Sequence, residues 1–241
     1  MADWAPKTIA IIGASGGIGA AILRETLSRY SQARVHAFSR SGSGEKQDRL
    51  VWGRLNYDEP ESIEAAANSI DQPLDLVIVA TGLLKNDRVS PEKSLRDLDA
   101  EQLARLFHVN TIGPALVAKH FLPKMKRDER SVFAALSARV GSISDNRLGG
   151  WYGYRAAKSA LNQMLKTASI EQARKFKQCA VIGLHPGTVD TALSKPFQAN
   201  VADGKLFSPE QSANYLLKVI EQVSPKDSGK VFDWQGAEVP S

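Results

Sequence analysis

Two residues spaced four apart, Tyr154 and Lys158, suggest proton transfer at a carbon–oxygen bond. On a helix, residues four apart lie on one face. A lysine ammonium beside a phenol stabilises the phenolate, which lowers the pKa of the tyrosine from about 10 towards neutrality. Such a tyrosine passes a proton to or from a carbonyl or alcohol oxygen. A nearby competitor, Tyr152, has no lysine four residues later, so we favour Tyr154.

A glycine-rich turn near the start of the chain predicts a dinucleotide site. Gly13, Gly17 and Gly19 follow an apolar run and open a helical pattern. Glycine lets backbone N–H groups approach a pyrophosphate, and the helix N-terminus adds a favourable dipole. The spacing is G-x-x-x-G-x-G rather than G-x-G-x-x-G, and a plain strand-to-helix turn also favours glycine. Together with the tyrosine–lysine pair, this turn suggests hydride transfer coupled to proton transfer.

The residues after the second predicted strand indicate which nicotinamide dinucleotide binds. A carboxylate there would hold a ribose 2′-hydroxyl, but the chain reads Phe38-Ser39-Arg40-Ser41 and has no acid until Glu45. Arg40 can pair with a 2′-phosphate through its planar guanidinium, and Ser39 can donate a hydrogen bond to it. The sequence therefore favours NADP, with NADPH preferred over NADH. The alternative is a solvated arginine in a surface loop.

Strand and helix patterns alternate along the chain. The strand patterns are continuous apolar runs, as in a parallel sheet covered on both faces. We therefore predict an α/β fold, a Rossmann-type doubly wound parallel sheet of about seven strands flanked by helices, as a single domain over residues 1–241. The predicted strands are Thr8–Ile12, Val35–Ser39, Leu50–Trp52, Leu74–Ala80, Val132–Ser137, Ala180–His185 and Lys230–Asp233. The predicted helices are Gly17–Tyr30, Glu61–Ile70, Glu101–Lys126, Tyr152–Lys175 and Pro209–Val223.

The composition argues against several other classes of function. The net charge is +5, but there is no basic block of five residues and no interleaving of aromatic with basic residues, so we expect no nucleic-acid partner. The four histidines lack metal-ligand spacing and Cys179 is the single cysteine, so we predict no metal site and no internal disulfide. No apolar run is long enough to span a membrane. We expect a cytoplasmic protein with no membrane partner.

The ordered motifs resemble those of the short-chain dehydrogenase/reductase family. The matching motifs are Gly13/Gly17/Gly19, Asn110 in His108-Val109-Asn110-Thr111, Tyr154/Lys158 and Pro186-Gly187. The resemblance covers essentially the whole chain. Two segments, Arg139–Tyr152 and Ser228–Trp234, are most similar to the C-factor and sniffer-like branch. The resemblance implies an NADPH-dependent oxidoreductase that transfers a hydride to an aldehyde or ketone, with Tyr154 as general acid.

The resemblance also implies roles for individual residues. Lys158 would lower the pKa of Tyr154, bind the nicotinamide ribose and start a proton relay. Asn110 would bend its helix and hold a relay water. The residues implied at the cofactor are Gly13, Ser15, Gly17, Ile18, Gly19, Ser39, Arg40, Asn56, Ala80, Thr81, Gly82, Tyr154, Lys158, Pro186, Gly187, Val189 and Thr191. Two alternatives without a role in the site stay open: Asn110 is a polar residue that faces water, and Pro186-Gly187 is only a strand-ending turn.

One catalytic position departs from the family pattern. The family's catalytic serine is usually the second of a serine pair after the fifth strand, but the pair here reads Ser137-Ala138. Ser137, Ser142 or water could supply the hydroxyl that polarises the carbonyl, or it could be absent, and we take Ser137 as the candidate. The departure motivates an alternative function: an NAD(P)-binding signalling or regulatory protein with little turnover.

The substrate and the oligomeric state are the least defined features. Walls of the substrate site are expected in Leu83–Ser94, Ser142–Tyr152 and Ala192–Leu206, after the fourth, fifth and sixth strands. Apolar residues there or nearby hint at an apolar small-molecule carbonyl or alcohol: Leu84, Leu148, Trp151, Leu193, Phe197 and Phe207. Helices Glu101–Lys126 and Tyr152–Lys175 are apolar over more than one face. Related enzymes pair these helices across a two-fold axis, so we predict a homodimer, or a homotetramer that contains such a dimer.

Overall fold

A seven-stranded parallel sheet forms the centre of the molecule. The computed structural model describes residues 4–200, 202 and 204–241. Its main sheet has the strand order β3-β2-β1-β4-β5-β6-β9, and every neighbouring pair is parallel. The strands are β1 (Thr8–Ile12), β2 (Arg34–Ser39), β3 (Leu50–Arg54), β4 (Leu76–Val79), β5 (Ser131–Leu136), β6 (Cys179–His185) and β9 (Val231–Asp233). The predicted Rossmann-type fold class is confirmed.

Helices cover both faces of this sheet, which is why its strands read as continuous apolar runs. The helices are α1 (Gly17–Arg29), α2 (Pro60–Asn68), α3 (Ala100–Phe107), α4 (Gly113–Phe121), α5 (Tyr152–Gln172) and α6 (Pro209–Gln222). Successive strand residues point to opposite faces. Ile9 and Ile11 pack in the core under α1 and α6, whereas Ala10 and Ile12 pack in the core under α2, α4 and α5.

The predicted long helix Glu101–Lys126 is wrong as a single element. After α3 the chain makes one π-helical turn, His108–Ile112, before α4, and it ends in a 3₁₀ turn, Leu122–Lys124. A π turn inserts one residue into the helix and frees a carbonyl. Here the carbonyl of Leu106 accepts a hydrogen bond of 3.0 Å from Nδ2 of Asn110. The hydrophobic periodicity is too coarse to reveal one added residue.

A two-stranded parallel sheet beside the main one was not predicted. It pairs β7 (Thr188–Val189) with β8 (Leu206–Phe207), and strands of two residues have no readable periodicity. The predicted wall segment Ala192–Leu206 lies partly outside the described residues, because positions 201 and 203 are not among them. Among the helices described, none is both long and apolar enough to cross a membrane.

Candidate active site

Two adjoining cavities lie at the carboxyl ends of the central strands. The smaller, about 360 Å³, adjoins the ends of β2 and β3, and the larger, about 590 Å³, adjoins the ends of β5 and β6. They share Gly16, Arg40 and residues 80–82, so they form one continuous groove. The groove opens at the switch point between β1 and β4, where the order of strands reverses. Open parallel sheets bind their ligands at this position.

The residues predicted at a cofactor converge on this groove. All of them except Gly19 line one cavity or the other. Gly19 lies behind the turn, where a Cβ would approach the carbonyl oxygen of Gly13 to 2.1 Å. At Gly17 a Cβ would approach Cγ2 of Thr191 to 2.7 Å. The glycines therefore keep the mouth of the groove open and let the helix pack closely on the turn.

The start of α1 offers free backbone donors to an anion. Its N-cap, Gly16, has no side chain to accept from the first N–H groups of the helix. Gly16, Gly17 and Ile18 border the groove, where the helix dipole adds partial positive charge. This uncapped N-terminus, together with the glycine cradle, fits a dinucleotide pyrophosphate.

At the far end of the groove, Ser39 ends β2 and Arg40 follows it. Oγ of Ser39 is buried and accepts a hydrogen bond of 3.1 Å from the Gly42 amide. Arg40 is exposed and, within the described part of the chain, makes no ion pair with a carboxylate. Asp58, on the same wall, is paired with Arg105 at 2.5 Å, and that hydrogen bond holds the pKa of the Asp58 carboxyl below its usual range. The guanidinium of Arg40 remains available to a phosphate.

Asn56 and the segment 80–82 line the middle of the groove. Nδ2 of Asn56 donates to Glu59 at 3.0 Å, which fixes the amide at the end of β3. The hydroxyl of Thr81 forms a hydrogen bond of 2.8 Å with that of Tyr57, and the Ala80 amide donates to Ile12. These contacts hold the end of β4 beside the glycine turn.

Tyr154 and Lys158 lie on the wall of the larger cavity, on one face of α5 as predicted. Both side chains are buried, at 8% and 2% exposure. Nζ of Lys158 donates a hydrogen bond of 2.8 Å to the carbonyl of Leu136 and lies 5.8 Å from the centre of the Tyr154 ring. The lysine is thus anchored to the end of β5 beside the phenol.

The expected lowering of the pKa of Tyr154 is wrong for this structure. Burial among apolar side chains raises the pKa of Tyr154 well above its usual value, because it disfavours the phenolate. Burial also lowers the pKa of Lys158 to about 7. The spacing of the two residues predicts their common face but not the removal of water around them. Tyr154 is therefore protonated at neutral pH, the form that a general acid requires.

Asn110 lies behind the cavity wall and is completely buried. Its Oδ1 accepts from the Leu83 amide at 3.0 Å, and its Nδ2 donates to the carbonyls of Leu83 and Leu106. The side chain therefore ties the π turn to the loop after β4. The next residue, Thr111, donates from its hydroxyl to the carbonyl of Ala157 at 2.7 Å and so joins the same turn to α5.

Ser137 and Ala138 follow β5 and line the cavity directly after Leu136, whose carbonyl accepts from Lys158. The hydroxyl of Ser137 forms a hydrogen bond of 2.6 Å with Oδ1 of Asn162 on α5, which can only accept. Ser142, the other serine considered, is buried and accepts from the amide of Asp145. The structure thus gives both hydroxyls protein partners, while Ala138 presents only a methyl group.

A buried carboxylate, Glu92, was not among the predicted site residues. It is 2% exposed, and both of its oxygens lie 3.2 Å from the Gly153 amide at the start of α5. Its carbonyl also accepts from the Trp151 amide at 2.6 Å. Trp151 has left-handed backbone angles, φ 52° and ψ 42°, which a bulky residue rarely adopts. Glu92 stands 61 positions from Gly153, so no local pattern signals their contact.

Apolar side chains enclose the space in front of Tyr154. The rings of Trp151 and Phe197 meet edge to face at 5.0 Å, and Leu84 and Leu193 complete this wall. Two other residues that the sequence suggested lie elsewhere. Leu148 is 93% exposed, because its loop turns outward, and Phe207 packs behind Gly187 against Trp234 and Tyr215.

The loop after β6 closes the remaining side of the cavity. The carbonyl of Pro186 accepts from the hydroxyl of Ser212 at 2.9 Å, which anchors the turn to α6. Val189 is buried, and its carbonyl accepts from the hydroxyls of Thr191 and Ser194. Pro186-Gly187 is therefore a strand-ending turn that also forms part of the groove.

Comparison with known proteins identifies the family. The family model for short chain dehydrogenases matches residues 7–202, so the chain belongs to the short-chain dehydrogenase/reductase family. The C-signal protein of Myxococcus xanthus is 35% identical over 147 residues, which cover 61% of this chain and 83% of that protein. The resemblance in the sequence, including its C-factor and sniffer-like branch, is confirmed.

Solved structures share the fold. The NADPH-bound carbonyl reductase from chicken fatty liver has a TM-score of 0.85 at 24% identity, over 98% of this chain and 95% of that one. The carbonyl reductase Sniffer of D. melanogaster has a TM-score of 0.84 at 18% identity, over 99% of this chain and 100% of that one. The protein is an NAD(P)-dependent oxidoreductase of this family, and it acts on a small molecule.

Proposed function

We propose that this protein is an NADPH-dependent reductase that transfers a hydride to the carbonyl carbon of an aldehyde or ketone, with Tyr154 as the general acid. The observation that carries the proposal is the buried Tyr154 phenol on the wall of the cavity, four residues before the anchored Lys158. Reduction needs a proton at the carbonyl oxygen, and burial keeps that proton on the Tyr154 hydroxyl.

Residues along the groove would hold the cofactor. The uncapped amides at the start of α1 would bind the pyrophosphate, and the turn Pro186-Gly187 with Val189 and Thr191 would cover the nicotinamide. A bound dihydronicotinamide supplies the hydride for carbonyl reduction. Tyr154 would orient the carbonyl oxygen and give it a proton, and the apolar wall around Trp151 would exclude water.

Lys158 and Asn110 would return a proton to Tyr154. Lys158 lies beside the phenol, and burial brings its pKa to about 7, where it can both accept and release a proton near neutral pH. Asn110 ties the π turn to the loop after β4, Thr111 joins the same turn to α5, and Asn110 would fix a relay water there. The proposed site therefore needs both residues for repeated turnover. Ser137 contributes by positioning Asn162 and stays a candidate donor to the carbonyl.

The preference for NADPH over NADH follows from Arg40 and Ser39. Arg40 is an unpaired guanidinium beside the groove in the described structure, and no carboxylate follows β2 to hold a ribose 2′-hydroxyl. A 2′-phosphate would pair with the guanidinium. Titration of the purified protein with each cofactor tests this preference, and tighter binding of NADH would contradict it.

The decisive experiment is NADPH oxidation with a broad panel of ketones, aldehydes and quinones. We expect turnover on at least one compound, and we expect Tyr154→Phe to abolish most of it. Full turnover by that variant would refute the mechanism. Ala138 and the likeness to C-signal favour the second candidate, a cofactor-binding regulatory protein. Tight NADPH binding without turnover on the whole panel would support that candidate.

We also propose that the protein forms a homodimer, with a homotetramer built from such dimers as the alternative. Ile112, Ala156 and Met164 remain exposed on the outer side of the π turn and α5. An apolar strip on two adjacent helices suits a two-fold contact with a second copy. A cytoplasmic location and the absence of a nucleic-acid partner stay predictions from the sequence, tested by fractionation and by a binding assay at two salt concentrations.

A further inference from the structure

The proposed reduction lacks a second hydrogen-bond donor for the carbonyl oxygen. Family members usually place a serine hydroxyl where this chain has Ala138, which carries no polar atom. The neighbouring hydroxyls have other partners. Ser137 faces Asn162, and Ser142 is buried away from the cavity against Asp145. A carbonyl that gains negative charge during hydride transfer is stabilised by a donor fixed in advance, worth about a hundredfold or more in turnover.

Other donors near Tyr154 already make hydrogen bonds to protein acceptors. Nζ of Lys158 donates to Leu136, and the guanidinium of Arg139 pairs with Asp145 at 2.6 Å. The hydroxyl of Thr191 donates to the carbonyl of Val189. The hydroxyl of Thr191 would have to break this bond to reach a substrate. Lys158 and Arg139 keep further N–H donors, but their existing bonds hold them towards Leu136 and Asp145.

His185 lies on the same wall, and its ring is free to donate a hydrogen bond to a ligand. It ends β6 and borders the cavity together with Ala138 and Tyr154. The β5–β6 register pairs Leu136 with Leu184, so His185 lies level with Ser137, next to Ala138. Its Nδ1 is buried and has no hydrogen-bond partner among the residues that the structure describes. Nδ1 is enclosed by protein, so the nitrogen that can reach a ligand in the cavity is Nε2, which makes no hydrogen bond within the described residues. With the proton on Nε2, Nδ1 is the acceptor nitrogen left without a partner.

The surroundings of His185 keep its imidazole neutral. Burial lowers its pKa to about 4, although Asp233, its neighbour on β9, acts in the opposite direction. A neutral imidazole has one N–H donor and one acceptor nitrogen. It can therefore donate to an oxygen without carrying a net charge into the apolar cavity.

We propose that His185 donates a hydrogen bond to the carbonyl oxygen of the substrate and thereby replaces the hydroxyl absent at Ala138. The imidazole keeps its proton: it stabilises the developing negative charge on the oxygen, and Tyr154 transfers the proton that completes the alcohol. This inference rests on the proposed reductase function. It assigns His185 a catalytic role that neither the motifs nor the spacing of the sequence suggested.

Two substitutions at His185 separate donation from packing. His185→Phe keeps a flat ring but removes the N–H, and His185→Gln keeps an N–H on a smaller side chain. We expect turnover by the phenylalanine variant to fall about a hundredfold, with the dissociation constant of NADPH unchanged. The glutamine variant should retain more activity than the phenylalanine variant. The NADPH dissociation constant and the thermal melting of each variant establish that it is folded.

Restoring the family hydroxyl gives the most specific test. We expect Ala138→Ser to raise the turnover of His185→Phe at least tenfold and to change that of the parent protein much less, because one donor suffices. Equal effects of Ala138→Ser in both backgrounds would overturn the proposal. So would full activity of His185→Phe, or weaker NADPH binding with unchanged turnover, which would place the ring at the cofactor.

Variants at Thr188 and Tyr154 are the controls that show which proposal a negative result overturns. The hydroxyl of Thr188 borders the same cavity and has no partner in the described structure, but it is only half-buried, so water can satisfy it. Loss of turnover in Thr188→Val together with its retention in His185→Phe would give the role to Thr188. Turnover that depends on Tyr154 but not on His185 overturns this inference alone. Absence of Tyr154-dependent turnover overturns the reductase function as well.

Discussion

The backbone amide of Gly153 donates a shared hydrogen bond to both carboxylate oxygens of Glu92, at 3.2 Å each, one residue before Tyr154. The carboxylate lies at the N-terminus of the 21-residue helix α5, where the helix dipole favours negative charge. The same residue holds the left-handed Trp151 through its carbonyl. Glu92 therefore connects the loop after β4 to both the general acid and the apolar wall.

Removing this carboxylate should destabilise the protein and disturb the site. We expect Glu92→Ala to lower the free energy of unfolding by about 2 kcal/mol, because it leaves the Gly153 amide buried without an acceptor. Glu92→Gln retains an acceptor oxygen and should lose less. Urea unfolding measures both, with Glu101→Ala, an exposed acid in the first turn of α3, as the control. Equal stability of Glu92→Ala and Glu101→Ala would contradict this assignment.

Tyr154→Phe should separate chemistry from binding. We expect turnover to fall by roughly 10²–10⁴, because the proton donor is lost. The NADPH dissociation constant should be unchanged, since the ring still fills the wall. Tyr152→Phe is the matched control on the exposed side of the same helix. Similar losses in both variants would show that the effect is not specific to the proposed acid.

Lys158 should make stability depend on pH in a defined window. Its pKa is about 7 in the folded protein and about 10.4 in an unfolded chain. Between these values the unfolded state binds a proton that the folded state does not, so the free energy of unfolding rises with pH, by at most about 1.4 kcal/mol per unit. Below about pH 7 Lys158 is charged in both states, so the full free-energy cost of burying its charge lowers the stability of the folded protein.

The Lys158→Met variant isolates this contribution, because the other titrating groups are common to both proteins. We expect the free energy of unfolding of the parent to rise relative to that of the variant between about pH 7 and about pH 9. Urea unfolding at several pH values within this window measures the difference. If the difference in free energy of unfolding between the parent and the variant stays constant over this pH range, Lys158 remains charged when buried.

Arg40→Ala should reduce the discrimination between NADPH and NADH. We expect NADPH binding to weaken by about 10- to 100-fold, since a charged hydrogen bond to the 2′-phosphate is lost. NADH binding should change little. Fluorescence titration measures both affinities, and Arg34→Ala, at the opposite end of β2, controls for the loss of positive charge. Parallel weakening of both cofactors would point to a general electrostatic effect instead.

Met164→Glu should break the proposed dimer. Met164 is 47% exposed on the outer side of α5, where a carboxylate would be buried without a partner in a two-fold contact. Light scattering at micromolar concentration should report a dimer for the parent and a monomer for the variant. Ile170→Glu is the control, because Ile170 is comparably exposed, at 54%, on a different side of the same helix. A monomeric parent would refute the dimer.

The sequence was sufficient for the sheet and for the residues on α5. The central strands of the main sheet are buried on two faces, so their apolar runs were readable, and Thr8–Ile12 has the predicted bounds. Tyr154 and Lys158 share a face because helical geometry depends only on spacing. A shared helix face follows from local geometry alone, so the rest of the fold does not alter it.

Other features depend on contacts between distant segments. Burial reverses the expected direction of the pKa shift of Tyr154, and the amount of burial is set by apolar residues from several loops. The contact of Glu92 with Gly153 and the unpaired nitrogen of His185 arise only when the strands have assembled. The π turn at Asn110 adds one residue, a change smaller than hydrophobic periodicity can detect.

The all-parallel sheet also determines how slowly the chain should fold. No neighbouring strands of the main sheet are joined by a hairpin, because each parallel pair needs a crossover. The ion pair of Arg29 with Glu221 joins α1 to α6 across 192 positions. Such high contact order slows folding and leaves strand edges open while the chain is incomplete. Synthesis of this protein should therefore be sensitive to aggregation at elevated temperature, well before the finished fold is unstable.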